Sequence, residues 1–456
     1  MSSPRFPETI QLRAYQREAV DNWFANRGRG TLKMATGSGK TITALAILTE
    51  LYQRIGLQGA IAICPYRHLV TQWQRECKKF GLSPILAFEN ARSWQQELSA
   101  QLYRVRSGTQ PFLCAIATNS TLIGDSFQSL LSYWPEKTLI IGDEAHNLGT
   151  EKLEESLPKQ VGLRLALSAT PERCFDEAGT EAIFNYFGRV IPPELTLRDA
   201  IAQGALVHYS YYPVLVNLTS RESLQYAKLT ARIGWALGNG EKLEESENLT
   251  TLLVRRSRLI ANAEGKLDKL REIMRSRLQT SYTLFYCGDG SMDARGKLTE
   301  QTSQCQLDAV IQLLGTELGY RVKSYTANTP LKERELLRQQ FSAGDLQGLV
   351  AIRCLDEGVD IPAIRTAIIL ASSRNPRQFI QRRGRILRSY PNKHRATLFD
   401  AIVIPPSLDR KTWNVERNLL RKELQRFVEF ADLADNAGEA RRKLLGLQKE
   451  YELLDL

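Results

Sequence analysis

Eight consecutive residues constrain this chain more than any others: Met34-Ala35-Thr36-Gly37-Ser38-Gly39-Lys40-Thr41. They follow a short apolar run containing Thr31, Leu32 and Met34, and they open a helical pattern through Ile42, Ala44, Leu45, Ile47 and Leu48. Strand, tight glycine-rich turn and helix is the setting a phosphate-binding loop requires. Gly37 and Gly39 let the backbone curl until successive N–H groups face an anion. The helix starting near Lys40 adds its unsatisfied N–H groups and positive dipole end. Thr36, Gly37, Ser38 and Gly39 are then expected to cradle a nucleotide, with Lys40 reaching its β- and γ-phosphates and the Thr41 hydroxyl holding Mg²⁺. One residue departs from the usual pattern, since Met34 stands where a glycine normally begins it. A Gly/Ser/Lys cluster is often only a flexible turn, so the rest of the chain has to decide.

At 456 residues the chain is too long for a single core and predicts two or three domains. A net charge of +11 and a pI near 9.3 favour a polyanionic partner such as nucleic acid. The seven cysteines are scattered with no Cys-x-x-Cys pair, and there are only four histidines. That usage points to reduced thiols and away from zinc or a histidine-rich metal site. No apolar stretch approaches about 18 residues and the N-terminus carries no signal-like run, so the expected location is cytoplasmic.

Ahead of the loop, Tyr15 and Gln16 open a helical pattern through Val20, Trp23 and Phe24. They stand at a distance that places them over an adenine, and a Gln amide both donates and accepts. The alternative is a solvated Gln at the start of a docking helix. After the loop helix, Ala60–Pro65 and Phe112–Ala117 read as buried strands, the second ending in Thr118-Asn119-Ser120, residues that cap helices or touch a nucleic-acid backbone. The run Thr138–Gly142 leads directly into Asp143-Glu144-Ala145-His146. An apolar strand ending in two acids forms the second half of a nucleotide-hydrolysis site, with Asp143 in the Mg²⁺ shell and Glu144 polarising the attacking water. A further strand, Leu163–Leu167, delivers Ser168-Ala169-Thr170-Pro171. Alternating strands and helices predict a parallel α/β sheet with functional residues at the strands' carboxyl ends.

Residues 172–205 read as an irregular exit with one or two helices. A strand-like stretch at 208–216 follows, and then a charged helical region in which Arg255-Arg256-Ser257-Arg258 reads as a solvated face, with a phosphate contact as the lesser reading. A second α/β unit begins near Tyr282 and has no phosphate loop of its own, so it is expected to complete the first unit's site. A basic segment, Gln381 to Arg388, lies near its end, and residues 412–456 form a charged amphipathic tail expected to pack onto this second unit, with docking of a partner as the alternative.

These segments, in this order, resemble the superfamily 2 helicases and translocases over residues 10–400. Tyr15-Gln16 resembles the adenine-reading motif, Met34 to Thr41 the first motif, Asp143-Glu144-Ala145-His146 the second and Ser168-Ala169-Thr170 the third. Glu357-Gly358-Val359-Asp360-Ile361-Pro362 resembles the fifth, and Gln381-x-x-Gly384-Arg385-x-x-Arg388 the sixth. The form of the first and fifth motifs is similar to that of type III restriction subunits and DNA-repair helicases, with a weaker pointer to phage-defence helicases linked to phosphorothioation. The resemblance implies two RecA-like parallel-sheet domains in tandem, at 1–205 and 279–405, with a helical segment at 206–278 between them and a helical tail at 406–456. It implies ATP and Mg²⁺ as ligands, with Gly358 and Asp360 also at the nucleotide and Gln381, Arg385 and Arg388 acting on it. His146, Ser168 and Thr170 would couple hydrolysis to movement. Arg67, Thr118 and Arg353 would grip nucleic acid, DNA ahead of RNA, although Cys354 stands where many relatives carry Thr. An RNA helicase, or a binding subunit with lost or partner-dependent hydrolysis, are the alternatives. No metal-nuclease cluster is visible, so any cutting in a restriction or repair role would fall to a partner.

Overall fold

The computed structural model describes residues 3–173, 176–238, 249–288, 300–326, 328–352, 361–371, 383–406 and 410–456. The chain divides after Leu206 into two units. The first holds seven strands: β1 (Arg29–Met34), β2 (Gly59–Cys64), β3 (Ile85–Ala87), β4 (Leu113–Thr118), β5 (Thr138–Asp143), β6 (Leu163–Ser168) and β7 (Val190–Leu195). They form one sheet in the order β3-β4-β2-β5-β6-β1-β7, parallel throughout. β2, β4 and β5 are buried along their whole length, which is why they read as unbroken apolar runs rather than alternating ones. A parallel sheet brings every carboxyl end to one edge, so Met34, Cys64, Thr118, Asp143 and Ser168 share it.

Three helices matter to that edge: α1 (Ala14–Ala25), α2 (Lys40–Ile55) and α3 (Arg67–Lys79). α2 buries Ala44, Leu45, Ile47, Leu48 and Leu51 and stops at Gly56, whose left-handed φ of 64° is a common glycine helix ending. On α3, Leu69, Val70, Trp73 and Cys77 fall on one buried face at three- and four-residue spacing. Two strands of this unit escape sequence reading. β3 has only three residues, and β7 contains Pro192 and Pro193, which the rest of the sheet would reject but which an edge strand tolerates.

The second unit has a parallel sheet in the order β10-β11-β9-β12-β13-β8, built from β8 (His208–Asn217), β9 (Thr283–Cys287), β10 (Val322–Tyr325), β11 (Gly348–Ile352), β12 (Thr366–Ile369) and β13 (Arg395–Ile404). The stretch 206–278 opens with β8, which pairs with β13 from His208↔Arg395 to Asn217↔Ile404. It continues in helices Ser220–Gly238, Leu249–Ala261 and Gly265–Arg275. The tail forms helices Arg410–Asp432 and Ala437–Glu450 and packs on β8: Tyr209 donates to the Phe430 carbonyl at 2.7 Å, and Asn436 bonds both the N–H (2.8 Å) and the C=O (2.9 Å) of Tyr211.

One expectation fails here. Arg256 is no solvated face residue; it is 1% exposed and reaches Glu416 and Glu423, each at 3.3 Å. Its Nη2 also donates to the Tyr226 hydroxyl at 2.5 Å. Those carboxylates lie some 160 residues further along the chain, where a local charge pattern cannot register them. Among the described residues no helix is long and apolar enough to cross a membrane.

Candidate nucleotide site

The turn between β1 and α2 passes through two left-handed glycines, Gly37 (φ 87°) and Gly39 (φ 92°). A Cβ on Gly39 would stand 2.6 Å from Gln16 Nε2, the movable end of a side chain, so it is the left-handed backbone angle that favours glycine there. Met34, the departure from the usual pattern, ends β1 fully buried and fills core volume that glycine would leave empty. Lys40 is the first residue of α2, and its Nζ donates back to Met34 O (3.0 Å) and Ala35 O (3.4 Å). Thr41 follows it, half-buried.

Whether this loop suits a triphosphate can be judged from its own polar atoms. Thr36 Oγ1 and Ser38 Oγ are buried and make no hydrogen bond. Buried hydroxyls are normally satisfied, and phosphate oxygens are acceptors of the kind these two lack. The residues fit the group.

α1 is tied to the same loop. Tyr15 donates its hydroxyl to Ser38 O at 2.5 Å, and Gln16 Nε2 donates to Gly39 O at 3.3 Å. Gln16 Oε1 meanwhile accepts from Arg13 N at 2.9 Å. The amide expected to read adenine thus has both halves engaged, one on the loop and one on the start of its own helix.

At the end of β5, Asp143 Oδ1 accepts from Glu144 N (3.0 Å) and Oδ2 from the Trp73 indole (2.8 Å). Burial, and then the neighbouring Glu144 charge, push the Asp143 pKa up to about 6, while Trp73 and Lys40 pull the other way. A buried carboxylate under that pressure is stabilised by a nearby cation, which suits a Mg²⁺ ligand. Glu144 sits at φ 46°, ψ 52°, a left-handed conformation that costs a non-glycine residue about 1–3 kcal/mol and recurs at functional sites.

His146 joins the two motifs. Its Nε2 faces Asn147 Nδ2 at 3.1 Å, and that amide also donates to Glu144 O at 3.0 Å. An NH₂ only donates, so with Nε2 accepting from it, Nδ1 is the nitrogen placed to donate to Ser168 Oγ at 3.1 Å. Ser168 Oγ also accepts from Thr170 N at 3.1 Å, and His146 Nδ1 lies 3.7 Å from Glu144 Oε2. A continuous polar path therefore runs from Glu144 through His146 to Ser168 and the backbone of Thr170.

The remaining expected residues are more dispersed. Arg67 opens α3 with its side chain 68% exposed and pairs with Glu89 at 3.1 Å. Thr118 is buried and caps the helix Asn119–Ile123, its Oγ1 accepting from Thr121 N at 3.2 Å. In the second unit Arg385 is buried and Arg388 half-buried, and both are engaged in contacts. Arg353, Cys354, Glu357, Gly358, Val359, Asp360 and Gln381 lie outside the described residues. Sequence reading missed Trp73. Its only signal was membership of the buried face of α3, which says that the indole points inward but not that it meets Asp143.

Known proteins share this architecture. A family described as type III restriction enzyme, res subunit, matches residues 9–173, and one described as helicase conserved C-terminal domain matches residues 267–390, together more than half of the chain. The DNA 3'-5' translocase XPB2 of Sulfurisphaera tokodaii is 26% identical over 411 residues, 84% of this chain and 80% of that protein. Other curated relatives are longer, and the chain spans about three-fifths of several of them. The Pyrococcus furiosus Hef helicase domain superposes with a TM-score of 0.58 at 17% identity, covering 88% of this chain and 97% of that one. The type ISP restriction-modification enzyme LlaBIII bound to DNA gives 0.60 at 19%, covering 93% and 31%. The chain belongs to the superfamily 2 helicases, in the branch of the type III restriction and DNA-repair helicases.

Proposed function

We propose that this chain is an ATP-dependent DNA motor, a helicase or translocase, that hydrolyses ATP at the loop of the first unit. The observation that carries the reading is the convergence at one sheet edge of Lys40, the orphaned hydroxyls of Thr36 and Ser38, and the Asp143–Glu144 pair, with Lys40 close enough to act on the Asp143 charge. Mg²⁺, held by Thr41 and Asp143, would offset phosphate charge. Lys40 binds the β- and γ-phosphates, and Glu144 orients the attacking water. The domains 1–205 and 279–405 form the two halves of the motor, and Gly358, Asp360, Gln381, Arg385 and Arg388 of the second half complete the site. Arginine fingers of this kind stabilise transition-state charge and are worth about 10³–10⁵ in rate. When the γ-phosphate leaves, the His146–Ser168–Thr170 path registers the change beside Glu144, and closure and reopening of the halves shift the gripped strand.

DNA is favoured because the Sulfurisphaera relative is named a DNA translocase, and a role in restriction or repair follows from the branch. ATP turnover of the purified protein, alone and with single-stranded DNA, duplex DNA or RNA, tests the reading, with Lys40→Ala as control. Stimulation by DNA that vanishes in the control supports it. Turnover that survives in Lys40→Ala overturns the site assignment, and preferential stimulation by RNA overturns the choice of substrate.

A further inference from the structure

In the first unit a groove runs between the helix Gln95–Arg106 and the helix Asp125–Leu131. The longer helix buries Leu98, Leu102 and Val105 in the core, and its outer stripe, Gln96, Ser99, Tyr103 and Arg106, is exposed at three- and four-residue spacing. The groove consists of two adjoining cavities of about 910 and 710 Å³ that share Ser99, Tyr103 and Leu130. Leu102 and Leu130 are its buried lining. Tyr103 is 75% exposed and Tyr133 51%, and both line it. So do Arg92, Arg104 and Arg106, but no Asp or Glu. Arg106 lies over the Tyr133 ring at 5.7 Å, and none of the three arginines has an ion pair among the described residues.

Single exposed aromatics need no explanation. Two tyrosines and three arginines around an apolar floor reproduce the anatomy of a protein interface, with an apolar centre, a polar rim and enrichment in Tyr and Arg. The polar lining is exposed or half-buried throughout, whereas a small-molecule pocket encloses its ligand and orients it with a few placed polar groups. Topology separates the groove from the nucleotide site. The helix Gln95–Arg106 leaves the carboxyl end of β3 and must deliver the chain to the amino end of β4, its parallel neighbour. Tyr133 likewise precedes the amino end of β5. The end of the groove that holds Arg106 and Tyr133 therefore lies toward the sheet edge opposite Lys40 and Asp143.

We propose that this groove docks an acidic segment of a partner protein. An aromatic or aliphatic side chain of the segment seats on Leu102 and Leu130 beside the two tyrosines, and its carboxylates pair with Arg92, Arg104 and Arg106. Guanidinium forks suit carboxylates because they bond them bidentately. Both features of the groove are then used: the unopposed positive charge and the apolar floor. A nucleic-acid backbone would answer only the first.

The test displays random peptides to the whole chain and repeats the selection on the double variant Tyr103→Ala, Arg104→Glu. Peptides enriched only on wild type are then labelled and titrated by anisotropy. They are expected to carry net negative charge and at least one aromatic or aliphatic residue. Each single variant should weaken them about tenfold or more, the scale of an interface Tyr or Arg. Added salt should weaken them further. Both substituted residues are exposed, and a matching unfolding midpoint checks that the variants fold; the composition of the enriched peptides is read on unmodified protein. Failure to enrich any peptide that depends on the groove overturns the proposal, and so does enrichment of neutral or basic ones. Displacement of the peptide by an oligothymidylate that itself binds Arg104→Glu more weakly would make the groove a nucleic-acid track and overturn it as well. The proposal makes no use of the ATP site, so it stands or falls separately from the motor reading.

Discussion

Trp73 donates its indole N–H to Asp143 Oδ2 at 2.8 Å, joining the buried face of α3 to the end of β5. The bond crosses 70 residues of sequence and fixes the acid that would hold Mg²⁺. A hydrogen bond to a charged group contributes about 1.5–3 kcal/mol. Trp73→Phe keeps most of the ring volume and removes the donor. The Mg²⁺ concentration that half-saturates ATP turnover is expected to rise about tenfold or more. Mg²⁺-dependent binding of a fluorescent ATP analogue should weaken in parallel. An unchanged Mg²⁺ midpoint in both measurements would show that Asp143 holds its position unaided.

The loop and the carboxylates separate binding from chemistry. Lys40→Ala removes the ammonium now bonded to Met34 O and Ala35 O, and should weaken ATP binding and lower turnover by about 10²-fold or more. Glu144→Gln keeps the shape and the backbone geometry but cannot polarise water. It should bind ATP near normally while turnover falls by a similar factor. Equilibrium nucleotide binding measured beside steady-state hydrolysis distinguishes the two. Glu144→Gln turnover within a few-fold of wild type would remove this residue from the chemistry.

What the sequence displayed follows from the range over which each signal acts. The loop, the Asp143–Glu144 pair and the strands β2, β4 and β5 are local patterns, so Lys40 and those strands could be located from the sequence around them. β7 was hidden because its Pro192-Pro193 pair argues against a strand, and only its place at the sheet edge permits it. The engagement of Gln16 with Gly39 and of Trp73 with Asp143 depends on how helices seat against the sheet. Arg256 shows the same limit most plainly, since the composition of its own helix describes a solvated stripe while its partners Glu416 and Glu423 come from the tail.

That buried cluster predicts how the second unit fails. Burial works against the Arg256 charge, but Glu423, Tyr226 and Glu416 outweigh it and hold the guanidinium pKa above its usual value. Removing one member strands the others, and breaking a buried pair costs about 3–5 kcal/mol. Glu416→Gln and Arg256→Met should each lower the unfolding midpoint in urea markedly, while the double variant should recover part of the loss. A double variant whose loss equals the sum of the singles would mean that the pair is not energetically coupled.

Lys266 gives a pH dependence of defined sign. It is 1% exposed, and its Nζ donates to Leu370 O at 2.5 Å and Ala261 O at 3.1 Å. Burial pulls its pKa down to about 8, against the opposing pull of Asp400 and Glu423. Below that value the folded chain carries a buried charge at a penalty. Between about 8 and the unfolded value near 10.4 the folded state sheds the proton while the unfolded state keeps it, so stability rises with pH through that window. Relative to Lys266→Met, which has no proton to lose, wild type should gain about 2 kcal/mol between pH 7 and 9.5. Taking the difference between the two proteins at each pH cancels the tyrosines and other groups that titrate in the same range. Urea unfolding at the two pH values reads that difference, and a gap that stays constant or moves against wild type would mean that Lys266 stays charged in the folded chain throughout this range.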